Sequence, residues 1–248
     1  MNLGKAALTS FLTGFGPGVG DLRLTAEQMS LSGTVALPTH LLHTTVSATV
    51  DDSGEIIIAD LSKVLAFIKA LPQDAMITLW QPKKSHLRLL SGSTQLNLPS
   101  TEYVRSHKSV EKAMVLVNEA KSAHWKSWAG KALPCYGKIN VKDLHQVKTI
   151  DKVLGKDKPV EAVFHADEQL WTLNVGHKGS ASMSIGIDME DCDGPPERCV
   201  THFGSWLSDA LHTIPLGTVE LYTADDYIAI FRHTEKDHLL LVMDKRGE

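Results

Sequence analysis

Two stretches of this 248-residue chain repeat one apolar spacing, so the chain is expected to fold as two similar units, each near the size of an ordinary domain. Val64, Ile68, Leu71 and Pro72 correspond to Leu207, Leu211, Ile214 and Pro215 at one constant offset. After a slip of one residue, Ile77 and Leu79 correspond to Val219 and Leu221. Each copy then runs through a polar turn into another apolar strand, Leu87 to Leu90 in one and Ile228 to Phe231 in the other. Alternating apolar positions predict further short strands at Met76 to Trp80, Trp171 to Val175 and Val219 to Tyr222.

Four segments break this rhythm and predict short helices: Lys5 to Leu12, Leu61 to Leu71, Val141 to Leu154 and Val200 to Ile214. Asp60 and Asn140 are placed to cap two of them, and Pro72 and Pro215 follow two of them as stops. The expected class is α+β, with two copies of helix, strands, helix, strands. We place a first domain at residues 1–103, a connector at 104–138 and a second domain at 139–248. The connector is too long for a plain loop. Its Val110 to Trp128 portion is rich in helix formers, with Met114, Val117 and Ala120 as apolar positions, and predicts a helical insert.

Composition fits a soluble globular chain, at 43% hydrophobic and 22% charged residues. No apolar run approaches the roughly 18 residues that span a bilayer, and Met1 to Gly14 lacks the order of a signal peptide, so no membrane partner and an intracellular location are expected. Cys135, Cys192 and Cys199 are odd in number and contain no CxxC pair, which predicts free thiols.

The net charge of -4 would argue against a nucleic-acid partner if charge were spread evenly. It is not. The helical segments, with Lys156 just beyond the third, hold Lys5, Lys63, Lys69, Lys142, Lys148, Lys152 and Lys156 against Asp143, Asp151 and Asp209. The remainder carries 18 basic and 26 acidic residues. On the third helix His145, Lys148 and Lys152 share one face while Val147, Ile150 and Leu154 lie on another. A single lysine-rich face is ordinarily just solvated, but a shared bias in an otherwise acidic chain points to phosphates. The fourth helix offers only His202 and His212.

Other constellations carry less. Asp188, Glu190, Asp191 and Asp193 could hold a hard cation but lack the spacing of a calcium loop, and read as a solvated turn. His233, Glu235, Asp237 and His238 lack metalloprotease spacing and read as a polar hairpin turn. Gly14 to Gly20 has its helix before it and not after it, which is the wrong order for a phosphate loop. With no nucleophile motif or Walker lysine, we expect no enzyme, no catalytic residue, no cofactor and no metal.

The segments Ile58 to Leu71 with Asp74 to Leu79, Leu89 to Pro99, Ile139 to Leu144, Leu216 to Phe231 and His238 to Lys245 together resemble the DNA sliding clamps, both proliferating cell nuclear antigen and the clamps of tailed phages. The connector is longer than in the phage clamps and carries Trp125 and Trp128. The resemblance implies a homotrimeric ring with antiparallel sheets outside and short helices lining the hole. It implies a processivity factor that encircles double-stranded DNA without reading sequence, serves a DNA polymerase and is placed by a clamp loader, in the cytoplasm or nucleoid of a prokaryote or in a virus-infected cell. It implies DNA-facing Lys5, Lys63, Lys69, Lys142, His145, Lys148 and Lys152, and a partner-peptide pocket at Leu42, Val115, Leu116, Tyr227 and Val242. Ser93 to Leu98 and Ser180 to Ile187 are the strand edges expected to pair between subunits. The alternatives are a metal-dependent hydrolase using the acidic cluster near Asp191 and a monomeric DNA-binding module using the face from Lys142 to Lys156.

Overall fold

The computed structural model describes residues 1–16, 21–50, 53–83, 85–100, 115, 127–128, 130–155, 158–176, 181–195 and 197–244. The chain forms two units, Met1–Leu37 with Leu42–Ala113, and Met114–Glu248 with Pro38–Leu41. The first contains β1 (Asn2–Gly4), α1 (Lys5–Thr13), β2 (Leu22–Glu27), β3 (Ser30–Ala36), most of β4 (His40–Ser47), β5 (Gly54–Ile58), α2 (Leu61–Ala70), β6 (Met76–Lys83), β7 (His86–Ser91) and β8 (Thr94–Pro99). Its strands lie in the orders β1-β6-β7-β8 and β4-β3-β2-β5.

The second unit begins with a small hairpin, β9 (Ser127–Trp128) and β10 (Lys131–Ala132). It continues as β11 (Cys135–Asn140), α3 (Val141–Leu144), a 3-10 turn at His145–Val147, α4 (Lys148–Leu154), β12 (Val160–His165), β13 (Leu170–Val175), β14 (Met183–Asp188), β15 (Glu190–Asp193), β16 (Cys199–Phe203), α5 (Leu207–Leu211), β17 (Thr218–Thr223), β18 (Ile228–His233) and β19 (His238–Met243). Its strands lie in the orders β11-β17-β18-β19, with β15 on the outer side of β11, and β14-β13-β12-β16. Strand for strand, these are the two orders of the first unit. The duplication read from spacing is therefore a duplication of topology, and the α+β class holds. Among the described residues the strands within both units pair antiparallel.

Local chemistry explains the helix boundaries. The Asp60 carboxylate accepts from the Lys63 N–H at 3.0 Å, and the Asn140 side-chain oxygen accepts from the Lys142 N–H at 3.0 Å, so both expected caps form. The third helical segment is not one α-helix. Its buried residues Val141, Leu144, Val147 and Ile150 recur every three positions, and an α-helix would rotate such a repeat away from the core. A 3-10 turn has three residues per turn and keeps it facing inward. The fourth expected helix is corrected more heavily. Residues 199–203 form a strand, because Cys199, Thr201 and Phe203 alternate into the core while the backbone pairs with β12, leaving only Leu207–Leu211 helical. The helix expected between Val110 and Trp128 lies outside the described residues apart from Val115, which is helical, and Ser127–Trp128, which is a strand. β11 starts inside the stretch read as connector.

Each unit has its own aromatic core. In the first, Phe11 and Phe15 meet edge to face at 5.3 Å, over Gly33 on β3. In the second, Trp171 and Phe231 meet at 5.7 Å between the two sheets. A Cβ at Gly33 would sit 2.3 Å from the Phe15 ring, which is itself 2% exposed and has nowhere to move. Gly33→Ala is expected to cost about 1–3 kcal/mol of stability through overpacking. Urea unfolding of Gly33→Ala and of Gly33→Ala with Phe15→Leu checks this, since the smaller second side chain should restore part of the loss. Among the described residues no helix is long and apolar enough to cross a membrane.

Candidate nucleic-acid interface

In each unit two helical segments lie side by side and bury one face. α1 buries Leu8, Phe11 and Leu12, and α2 buries Leu61, Val64 and Ile68. What these helices expose is small or basic: Ala6, Ala7, Ser10, Ala66 and Ala70 beside Lys63 and Lys69. In the second unit Lys142, Lys148, Thr149 and Lys152 are exposed, together with Gln146 and Val153, while Asp143 and Asp151 are half-buried. On the first unit, small side chains between lysines leave a surface that a smooth polyanion can approach closely.

The candidate residues are not equivalent. The Lys5 ammonium is half-buried and donates to the Lys69 carbonyl at 3.1 Å and to the Leu71 carbonyl, so it closes the end of α2. Lys63 forms an exposed ion pair with Asp60 at 2.8 Å. Lys69, Lys142, Lys148 and Lys152 are exposed. His145 is half-buried, its ring 4.5 Å from that of His212 and its Nε2 3.2 Å from the Ile214 carbonyl. α5 is almost wholly buried and adds no basic residue. His202, expected on that helix, stands on β16. Lys156 lies outside the described residues.

The expected pocket residues divide as well. Leu42 and Val242 are core side chains at 1% and 0% exposure, Val115 is exposed at 57%, and Leu116 lies outside the described residues. Tyr227 is half-buried at the start of β18. Its hydroxyl donates to the Trp128 carbonyl at 3.0 Å, and the Lys131 ammonium sits 4.5 Å above its ring and donates to the Asp225 carbonyl at 3.3 Å. Both strand edges are exposed to pairing: β8 and β14 each end their sheets among the described residues.

At the acidic cluster near Asp191 the described residues form no enclosed site for the hydrolase alternative. Asp188, Glu190, Asp191 and Asp193 are all exposed, and Asp191 is paired with Lys138. At the second polar group, His233 Nδ1 accepts from the N–H groups of Glu235 and Lys236 at 3.1 Å each, and its Nε2 donates to the Leu216 carbonyl at 3.1 Å. Both ring nitrogens are thus engaged in a hairpin turn. That ring fills the space over Gly217, whose φ of 140° and missing Cβ make room for it. Cys135, Cys192 and Cys199 are free thiols, and burial first, then Cys135 and Asp193, pushes the Cys192 thiol up to about 11, so it is protonated at neutral pH.

Sequence reasoning missed β1 and β11, the strands that lead into the first helical segment of each unit, although the alternation in Cys135–Asn140 was there to be read. It also missed a grouping of His202, Asp226 and Asp244, which come from three separated segments and share no local motif.

No family model and no curated protein matches this sequence. Solved structures do match in fold. A putative DNA polymerase III beta subunit from Eubacterium rectale superposes with a TM-score of 0.70 at 14% identity, over 98% of this chain and 64% of that one. The Helicobacter pylori beta clamp bound to a DNA ligase peptide gives 0.67 at 12% identity, over 100% and 67%. PCNA of A. fulgidus, bound to the C-terminal region of FEN-1, gives 0.62 at 10% identity, over 98% and 96%. This chain thus spans less than two thirds of the Eubacterium rectale chain and has the sliding-clamp fold.

Burial, then the neighbouring His145 and Lys148, lowers the His212 pKa below its ordinary 6.5. The unfolded chain therefore takes up a proton there first. The contribution to stability is present above pH 6.5 and is lost as pH falls from there toward the lowered folded value. His212→Gln should lose less stability than the wild-type chain when denaturant midpoints are compared at about pH 7.5 and about pH 5.5.

Proposed function

We propose that this chain is a subunit of a DNA sliding clamp: a homotrimeric ring that encircles duplex DNA and tethers a polymerase to it, without catalysis of its own. The observation that carries the reading is the repeated strand order within a clamp fold that matches almost the whole length of PCNA of A. fulgidus. Coverage of 64% of the Eubacterium rectale chain is close to what two repeats would take of a three-repeat chain. Two repeats per subunit favour three subunits for a ring of six. Residues 1–103, a connector at 104–138 and residues 139–248 would then be the two clamp domains and the link between them.

Topological linkage changes what the DNA surface must do. A closed ring cannot dissociate sideways, so affinity for phosphates can be weak and independent of sequence. Exposed lysines on otherwise small-residue helices suit that demand, because they attract the backbone without gripping a base. We assign Lys63, Lys69, Lys142, Lys148 and Lys152 to direct phosphate screening, and Lys5 and His145 to positions behind them. The acidic remainder of the chain would lie away from the hole.

Clamps from Helicobacter pylori and A. fulgidus are seen with peptides of a ligase and of FEN-1. For this chain we place the peptide pocket beside Tyr227 in the second unit, with exposed Val115 and buried Val242 as the further candidates from the same unit. A polymerase and a clamp loader are the expected users.

Lys148→Glu with Lys152→Glu tests the DNA-facing helix. On a merely solvated face these changes would cost under about 1 kcal/mol and alter nothing else. Facing a confined duplex, six reversals per trimer would act within about one Debye length, ~10 Å at 0.1 M salt. Processive synthesis should fall at least tenfold at low salt and recover partly as salt rises, with trimer mass unchanged. Normal processivity by a trimeric double variant would remove this helix from the DNA.

Assembly is tested on β14. Successive N–H groups of an edge strand point alternately inward and outward, so of Met183→Pro and Ser184→Pro one removes a donor toward β13 and the other a donor toward a partner. One of the two should lower trimer mass at low concentration, by light scattering, with little change in melting. A trimer unaffected by either substitution would move the interface elsewhere.

A further inference from the structure

We infer that His202, Asp226 and Asp244 form a divalent-metal site of the kind that takes Zn2+ or Mn2+. His202 stands on β16, Asp226 in the turn between β17 and β18, and Asp244 directly after β19, and one donor atom from each lies within 4.8 Å of the others. Zinc bonds of 2.0–2.2 Å place ligand atoms roughly 3.5 Å apart in a tetrahedron, so side-chain rotation of about 1 Å closes the set. Two of the positions are already held. The His202 N–H donates to Asp244 Oδ2 at 2.9 Å, and the Asp226 N–H donates to the Val200 carbonyl at 2.8 Å.

A second observation points to a ligand. His202 turns Nδ1 toward Asp226, at 3.4 Å, and Nε2 toward the carboxylate of Glu161 on β12, at 3.7 Å. At 3.7 Å this contact is longer than a hydrogen bond, and a small rotation of Glu161 would close it into the carboxylate support that orients metal-bound imidazoles and raises their basicity. One imidazole and two carboxylates, with no thiol, select a borderline cation over Ca2+ or Mg2+. Three protein ligands leave one position for water or a partner's side chain. The three carboxylates around one imidazole also repel one another, which a dication relieves.

A bound ion would join β16, the end of β19 and the Asp225–Tyr227 turn. That turn also carries the β9–β10 hairpin through the Tyr227 hydroxyl and the Lys131 ammonium. The ion would therefore stiffen the support of Tyr227. The inference does not rest on the clamp reading, and its test needs neither DNA nor a partner.

Calorimetric titration of the full chain with ZnCl2, and Mn2+ titration followed by paramagnetic resonance, should each show one ion per chain. Asp226→Asn, at a half-exposed position whose left-handed backbone asparagine accepts, and His202→Gln should each weaken binding at least tenfold with unchanged circular dichroism. Glu161→Gln should weaken it about tenfold through the imidazole alone. Cys192→Ser should leave it unchanged. Absence of saturable binding of either ion, binding indifferent to Asp226→Asn and His202→Gln, or zinc binding abolished by Cys192→Ser would each overturn the site.

Discussion

The backbone bond from the Lys5 N–H to the Ala75 carbonyl, 2.9 Å, recurs as the bond from the Val141 N–H to the Gly217 carbonyl, also 2.9 Å. In each unit it fixes the point where the opening strand becomes a helix, against the chain entering β6 or β17. The rest follows from that junction. The first helix of each pair is laid beside the second, and a basic side chain of the first reaches the end of the second: Lys5 to the Leu71 carbonyl, His145 to the Ile214 carbonyl. Leu71 and Ile214 are equivalent in the repeat. A donor there satisfies an orphan carbonyl, and the Lys5 ammonium also opposes the negative end of the helix dipole, so some of the basic residues of the helices hold the helices together while others are left for solvent and phosphate.

Much of this architecture was legible because apolar spacing survives duplication better than identity does. Val64 and Leu207, or Ile77 and Val219, keep their places because each must enter a core. The failures have physical causes. The segment from Val200 onward mixes strand formers with a helical spacing, and tertiary pairing with β12 decided for strand up to Phe203. The three-residue repeat from Val141 to Ile150 was visible, yet an α-helical template hid it. Lys5 read as a surface lysine because a bond to a residue 66 positions away leaves no local mark. The triad of His202, Asp226 and Asp244 is invisible for the same reason.

The two units share a backbone and differ in what covers it. On the first unit, Trp80, Arg88 and Asn97 stand in register across β6, β7 and β8 on an open face, with Arg88 5.3 Å over the exposed Trp80 ring and its Nε donating to Asn97 at 3.0 Å. On the second, Tyr222, Ile230 and Leu241 occupy one face and Leu221, Phe231 and Leu240 the other, all buried. Leu239 to Val242 is a continuous apolar run, as a strand covered on both faces requires, whereas along Met76 to Trp80 buried Ile77 and Leu79 alternate with exposed Met76 and Trp80. Glu220 is drawn into this covered face and paired there with Arg232, whose Nε donates to it at 2.7 Å.

The pairing of the opening strands has a consequence for synthesis. Asn2 meets Thr78 and Cys135 meets Thr223, so β1 stays unpaired until β6 is made, and β11, which β15 can join earlier on its outer side, keeps its other edge open until β17 is made. The intervening hairpins are local and can form as they emerge, but the junction that turns the opening strand into a helix is not fixed until the chain entering β6 or β17 arrives. A nascent chain therefore holds two apolar helices and an open strand edge in waiting, twice in succession. The span of each wait, set by topology and not by stability, marks the window in which a chaperone would find this chain and a stalled ribosome would release something prone to aggregate.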